Sequence, residues 1–249
     1  MHQKFLKKII NFLGYKLVDK NLIKNERLLS NYSYLNLDMI LKKLFDEHNI
    51  KKIIQIGAND GVRFDKLSKF IKNSEAKTIL VEPIETNYEK LKSNYSNKKN
   101  VIFENSAISS NNEIQYLFKV DENKTHLYDE HILGLMSFKK SHLIKHGVKR
   151  NHIKIENVNS ISIKGLIEKY NFNEFELLYI DTEGYDGNII VDFLETCFIK
   201  PFLIFEYIHI EHDIFKKTLK ILREKDYSYF KVDENLVCFS HKKVFFNLF

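Results

Sequence analysis

From about residue 52 onward, short apolar runs alternate with amphipathic stretches at helical spacing, and this alternation limits the fold more than any other feature of the 249-residue chain. Lys52–Ile56 reads as a buried strand, and Phe64, Leu67, Phe70 and Ile71 mark a helix after it. A second strand is predicted over 78–81, followed by a helix carrying Tyr88 and Leu91, and a third over Val101–Glu104. Leu177–Ile180 is a fourth, with Ile189, Ile190, Phe193 and Leu194 on the next helix. A fifth strand over 202–205 precedes a helix through 211–225. Repeated βα units imply a parallel sheet with helices on both faces, because each crossover lays a helix on one face or the other. The chain closes with β-like runs at 227–231 and 236–240 joined by Asp233-Glu234-Asn235, a hairpin that adds an antiparallel strand. Upstream, Leu37, Ile40, Leu41, Leu44 and Phe45 predict a helix over 36–47.

A long interruption, about 112–160, separates the third and fourth strands. It holds a predicted short strand at 114–120 and five of the ten histidines: His126, His131, His142, His146 and His152. An insertion at this point can lie over the strand C-termini, where open α/β sheets bind ligands. It reads as a lid or as a solvated helical excursion.

Charge and cysteine content exclude several classes. No run approaches the roughly 18–20 apolar residues of a membrane span. Two cysteines, Cys197 and Cys238, support neither a disulfide framework nor a Cys-rich zinc site, so a cytoplasmic location is expected. Of the net charge of +6, +5 falls in residues 1–30, where seven basic residues face two acidic ones. A nucleic-acid partner needs a basic face on the folded body, so none is expected. The charge belongs to an N-terminal extension, 1–34, ahead of a domain over 35–249. Within it, residues 4–17 read as a basic amphipathic helix, either docked on its own domain or making a weak peripheral contact with anionic lipid. The oligomeric state is not legible.

The chemistry lies at the strand tips. The first strand runs into Gly57-Ala58-Asn59-Asp60-Gly61. Gly57 permits a tight turn, and Gly61 lets a following helix come close. The middle glycine that brings backbone up to a pyrophosphate is missing, which disfavours a nicotinamide cofactor. Glu82 ends the second strand, where a carboxylate can accept two hydrogen bonds from a ribose diol, and Pro83 holds it extended. Asn105-Ser106-Ala107 follows the third strand. Asp181 and Glu183 follow the fourth, and Glu206 the fifth, with His209 shortly after. Helix capping accounts for one or two of these groups, not for all.

In this order the residues resemble the FkbM-type family of S-adenosylmethionine-dependent methyltransferases. The matching segments are IIQIGANDG at 53–61, LVEP at 80–83, ENSAIS at 104–109, LLYIDTEGYD at 177–186 and IFEY at 204–207; SFKKSH at 137–142 is similar to one branch. The resemblance covers about residues 35–240. It implies a Rossmann-like class I methyltransferase fold: a mostly parallel seven-stranded sheet with a C-terminal antiparallel hairpin strand. It also implies methyl transfer to oxygen, often on glycans or natural-product scaffolds. Carried over by position, Gly57, Asn59 and Gly61 line the methionine part of the cofactor. Glu82 with Pro83 binds the ribose, Ser106 and Ala107 approach the adenine, and Asp181 faces the methionine end.

A sugar hydroxyl is a weak nucleophile, so a group must take its proton or a metal must lower its pKa. Asp181, Glu206 and His209 are the candidate catalytic residues; Glu183, His142 and His146 are the candidate acceptor-binding residues. Metal-free general base catalysis is the expectation, with a cation held by the carboxylates and His209 as the alternative. The expected acceptor is a carbohydrate or related small molecule. The competing readings are N-methylation and a non-catalytic binding module on the same fold.

Overall fold

The computed structural model describes residues 36–110, 113–129, 132 and 135–240. The basic N-terminal extension, with its predicted amphipathic helix, and His131 lie outside the described residues. No helix among the described residues is long and apolar enough to cross a membrane.

Seven strands form the main sheet. β1 (Lys52–Ile56), β2 (Lys77–Val81) and β3 (Val101–Glu104) lie on one side. β8 (Leu177–Ile180) and β9 (Phe202–Glu206) lie on the other, followed by the hairpin of β10 (Tyr227–Val232) and β11 (Asn235–Ser240). The order across the sheet is β10-β11-β9-β8-β1-β2-β3. β1 pairs in parallel with both β2 and β8, whereas β11 runs antiparallel to β9. The strand boundaries expected from the apolar runs agree with these to within one residue at most ends.

Alternate side chains of each strand enter two different cores, as the period of two demands. Ile54, Ile56, Val81, Leu178, Ile180 and Phe205 pack against α5 (Ile163–Lys169), α6 (Asp186–Thr196) and α7 (His212–Glu224). Ile53, Leu80, Leu177, Tyr179 and Ile204 face the other way, onto α1 (Leu37–Glu47), α2 (Ser68–Lys72) and α3 (Glu85–Asn94). The near-continuous apolar runs follow from burial on both faces.

The chain leaves β1 toward β2 and β3, then returns across it to β8. The order therefore reverses between β1 and β8, and their C-terminal ends frame the crevice where such sheets bind ligands.

The helix expected directly after Gly61 is shorter and later. Residues 62–67 form turns instead, held by Asp60 Oδ1 accepting from the Val62 and Arg63 amides and Asp65 Oδ1 accepting from the Leu67 and Ser68 amides. These side chains offer the backbone a local alternative to helix.

The described part of the insertion has a core and a strand pair of its own. β4 (Ala107–Ile108) pairs with β7 (Ser160–Ile161), so the excursion leaves and rejoins the domain at one place. β5 (Gln115–Val120) runs antiparallel to β6 (Ile153–Val158), a strand the sequence reading did not separate. Val120, Ile132, Leu135, Leu143 and Val148 form its small core beneath α4 (Lys140–Lys145).

Candidate active site

A cavity of about 1020 Å³ opens at the C-terminal ends of β1, β2, β8 and β9. Its floor is the Gly57 turn. Gly57 has φ +82°, and a Cβ there would sit 1.8 Å from the Asp181 carbonyl oxygen, so only glycine fits. The Gly57 amide donates to Val81 O and the Asp181 amide to Ile56 O, each at 3.0 Å, tying three strand tips together.

Glu82 is 1% exposed. Its Oε2 accepts from the Asn59 amide at 2.9 Å and its Oε1 from the Ile84 amide at 3.0 Å. Burial pushes its carboxyl up to about 7 against those bonds. The sequence reading placed an open acceptor at the strand tip; the structure shows a buried carboxylate that also braces the Gly57 turn. It still lines the cavity, and a carboxylate with about four lone-pair sites keeps capacity for a ligand.

Asn59, Pro83, Ser106 and Ala107 line the same cavity. The Ser106 hydroxyl donates to Glu104 Oε1 at 2.8 Å, so its proton is already engaged. Glu104 also accepts from Lys169 Nζ at 2.7 Å and Tyr170 Oη at 2.6 Å, which holds its carboxyl below the usual range despite burial. Gly61 departs from expectation: it is absent from the cavity wall. A Cβ there would meet Tyr95 and Leu91 at 2.5 and 2.6 Å, so this glycine serves packing against α3.

Asp181, Glu183, Glu206 and His209 converge at the opposite end and all line the cavity. Burial, then repulsion from Asp186 and Glu183, raises Asp181 well above the usual carboxylate range. Burial, then Asp181, Glu183 and Asp186, pushes Glu206 up to about 9. Burial lowers His209, with Glu183 opposing. Glu183 has φ +54°, a conformation rare for a side-chain-bearing residue and concentrated at functional sites.

The lid brings Leu117, Leu135, Met136, Ser137, Phe138 and His146 to the cavity wall. Phe138 stands edge-on to Tyr185 with ring centroids 4.7 Å apart. His142 is not on the wall; it packs against both His146 and His209, at centroid distances of 4.6 and 5.0 Å, and those two rings also meet at 5.0 Å.

Sequence reasoning missed Gln55 and Asp65, which also line the cavity. Burial raises Asp65, and the Gln55 side chain bonds to it. The available signal was a polar Gln55 inside the otherwise apolar Ile53-Ile54-Gln55-Ile56.

A family model, the methyltransferase FkbM domain, matches residues 55–229. No curated protein matches the chain. Among solved structures, methyltransferase FkbM from Methylobacillus flagellatus KT aligns with TM-score 0.47 and 14% identity over 77% of this chain; the chain spans only 44% of that protein. A TehB-like SAM-dependent methyltransferase from Corynebacterium glutamicum aligns with TM-score 0.41 and 9% identity over 89% of this chain and 96% of its own. Fibrillarin from Aeropyrum pernix, solved with natively bound S-adenosyl-L-methionine, aligns with TM-score 0.39 and 10% identity over 76% and 65%. The family match spans the Gly57 turn, the insertion and the tips of β2, β8 and β9, and the chain therefore belongs to the methyltransferase FkbM domain family.

Proposed function

We propose that this chain transfers the methyl group of S-adenosylmethionine to a hydroxyl oxygen of a carbohydrate or related small molecule. The observation that carries this reading is the division of the cavity into two ends across the Gly57 turn. One end offers Glu82, and the other the clustered carboxyl groups of Asp181, Glu183 and Glu206.

The donor set fits the cofactor. Glu82 retains lone pairs for a ribose diol, beside Pro83 and Ala107, which give an adenine an apolar wall. Burial first, and then mutual repulsion, raises the carboxyls of Asp181 and Glu206, and a sulfonium and an α-ammonium group would relieve the repulsion. A volume near 1020 Å³ leaves room for an acceptor beside the cofactor.

When bound, S-adenosylmethionine supplies a methyl group on a sulfonium leaving group. The protein's part is alignment, exclusion of water and handling of one proton. Gly57 and Asn59 position the methionine end, and Asp181 faces it. Phe138 and Tyr185 close an apolar wall over the acceptor. One proton must leave the hydroxyl, and Glu206 and His209 stand on the cavity wall where it would go.

The test is methyl transfer from labelled S-adenosylmethionine to nucleotide-activated sugars and lipid-linked glycans, with the product mapped by mass spectrometry. An O-methyl ether on a sugar ring is expected. Label on nitrogen, or cofactor binding with no transfer to any hydroxyl acceptor, overturns the acceptor class.

A further inference from the structure

We propose that His142, His146 and His209, together with Glu183 and Glu206, form a binding site for one divalent transition-metal ion at the seam between the lid and the sheet. The sequence favoured metal-free chemistry because the family resemblance brings no metal requirement; that His142 and His146 stand beside His209 is visible only in the fold.

Two sets of three potential ligand atoms lie within 4.8 Å of one another: those of His142, His146 and His209, and those of Glu183, Glu206 and His209. His209 is common to both. The fold builds the group from three separate elements. His142 and His146 are four residues apart at the end of α4, which sets both rings on one face of a helical turn. The same i, i+4 spacing presents histidine pairs to zinc on metalloprotease helices. Glu206 is the last residue of β9, and His209 follows in the next loop. Glu183 is held by the β8–α6 loop, where a Cβ on the neighbouring Gly184 would sit 2.8 Å from the His209 carbonyl oxygen. The two loops are therefore pressed together.

The spacings are wrong for hydrogen bonds and near those of shared ligands. Glu183 Oε2 stands 3.8 Å from His142 Nε2 and 3.7 Å from His209 Nε2, and Glu206 Oε2 stands 3.9 Å from His209 Nε2. Protein hydrogen bonds are about 2.7–3.2 Å. Two ligands bound at about 2.0–2.2 Å to one ion stand roughly 3–3.6 Å apart, so small side-chain rotations close the set. His142 Nε2 and Glu206 Oε2 are both buried, and neither has a hydrogen-bond partner. Buried polar atoms are seldom left so. A cation between these groups accounts for both orphans and for the carboxylates gathered there.

Three imidazole nitrogens with carboxylate oxygens suit zinc, manganese, iron or cobalt rather than magnesium or calcium, which prefer an all-oxygen shell. The site stands on these residues alone. Its role rests on the proposed methyl transfer: an ion here lies at the acceptor end of the cavity, where it can bind the acceptor oxygen and lower its pKa.

The experiment uses the full-length chain without a histidine tag, stripped with chelator and titrated with Co²⁺. Visible d–d absorption saturating near one equivalent is expected, reversed by Zn²⁺ and unaffected by Mg²⁺. The double variant His142→Ala/His146→Ala should bind Co²⁺ more than about 100-fold more weakly, beyond the roughly 10–100-fold lost when a residue merely supports a ligand. Glu183→Gln, which leaves the lid histidines intact, should change the band shape. Absence of Co²⁺ binding to the wild type, or undiminished binding by the folded double variant together with an unchanged Glu183→Gln spectrum, overturns the site. S-adenosylmethionine binding, measured on the same stripped protein, separates the two ideas: its persistence without metal binding removes the ion and leaves the methyl-transfer reading intact.

Discussion

The imidazole of His142, on the lid, stands edge-on to that of His209, after β9, with ring centroids 5.0 Å apart. Nothing local joins them. The contact exists because the insertion, closed on itself by the β5–β6 pair, sets the C-terminal turn of α4 against the β9 loop. This end of the cavity wall is thus drawn from both the insertion and the sheet.

Substitution of the lid aromatic should separate acceptor from cofactor. Phe138→Ala removes the edge contact to Tyr185, and such ring pairs contribute about 0.5–1.5 kcal/mol beyond their buried area. The acceptor KM should rise about 2–12-fold, while calorimetry finds S-adenosylmethionine affinity unchanged. An equal loss of both would place Phe138 against the cofactor instead.

The Gly57 turn should tolerate no side chain. Gly57→Ala combines a positive φ with a Cβ 1.8 Å from the Asp181 carbonyl oxygen. The left-handed strain and the overpacking together cost about 2–5 kcal/mol. Denaturant unfolding should show that loss, with cofactor binding impaired in whatever remains folded. An alanine variant of wild-type stability would mean that the three strand tips are not tied as described.

Much of this was legible in the sequence, for identifiable reasons. Buried parallel strands must be apolar on both faces, so Ile53–Ile56 and Leu177–Ile180 stood out from the helices around them. The residues at or just past the ends of parallel strands border the crevice whatever the helices do, so Glu82, Asp181 and Glu206 could be placed from chain order alone. Gly61 could not: whether a glycine faces ligand or α3 depends on packing, and here Leu91 and Tyr95 occupy that space. β6 was overlooked although Ile153 and Ile155 alternate with Lys154 and Glu156, because its partner β5 lies more than 30 residues upstream. The meeting of His142 and His146 with His209 depends on how the lid docks, which no local pattern encodes.

The acidic cluster should make stability depend on pH in a definite direction. Glu206 is pushed up to about 9 from its ordinary 4.5, first by burial and then by Asp181, Glu183 and Asp186. Between those values the unfolded chain gives up the proton and the folded protein keeps it. The folded state then binds more protons, so stability is greatest below about 4.5 for this group and falls as pH rises toward 9. Glu82, raised to about 7, and Asp186, raised to about 6, act in the same sense over narrower windows. In chelator, Glu206→Gln should raise Tm relative to wild type more at pH 8 than at pH 5, by about 2–4 °C for each kcal/mol of repulsion relieved. Scanning calorimetry at the two pH values checks this; an equal shift at both would mean Glu206 is ionised in the folded protein.

The most direct test of the account is titration calorimetry of S-adenosylmethionine and its demethylated product against the wild type and Glu82→Ala. The account predicts one-site binding of both ligands to the wild type. Loss of the carboxylate should weaken both by about 1–3 kcal/mol, or roughly 5–150-fold, with the variant still folded by circular dichroism. No heat with either ligand, or affinity that Glu82→Ala leaves untouched, would contradict a cofactor bound across the ends of β1 and β2.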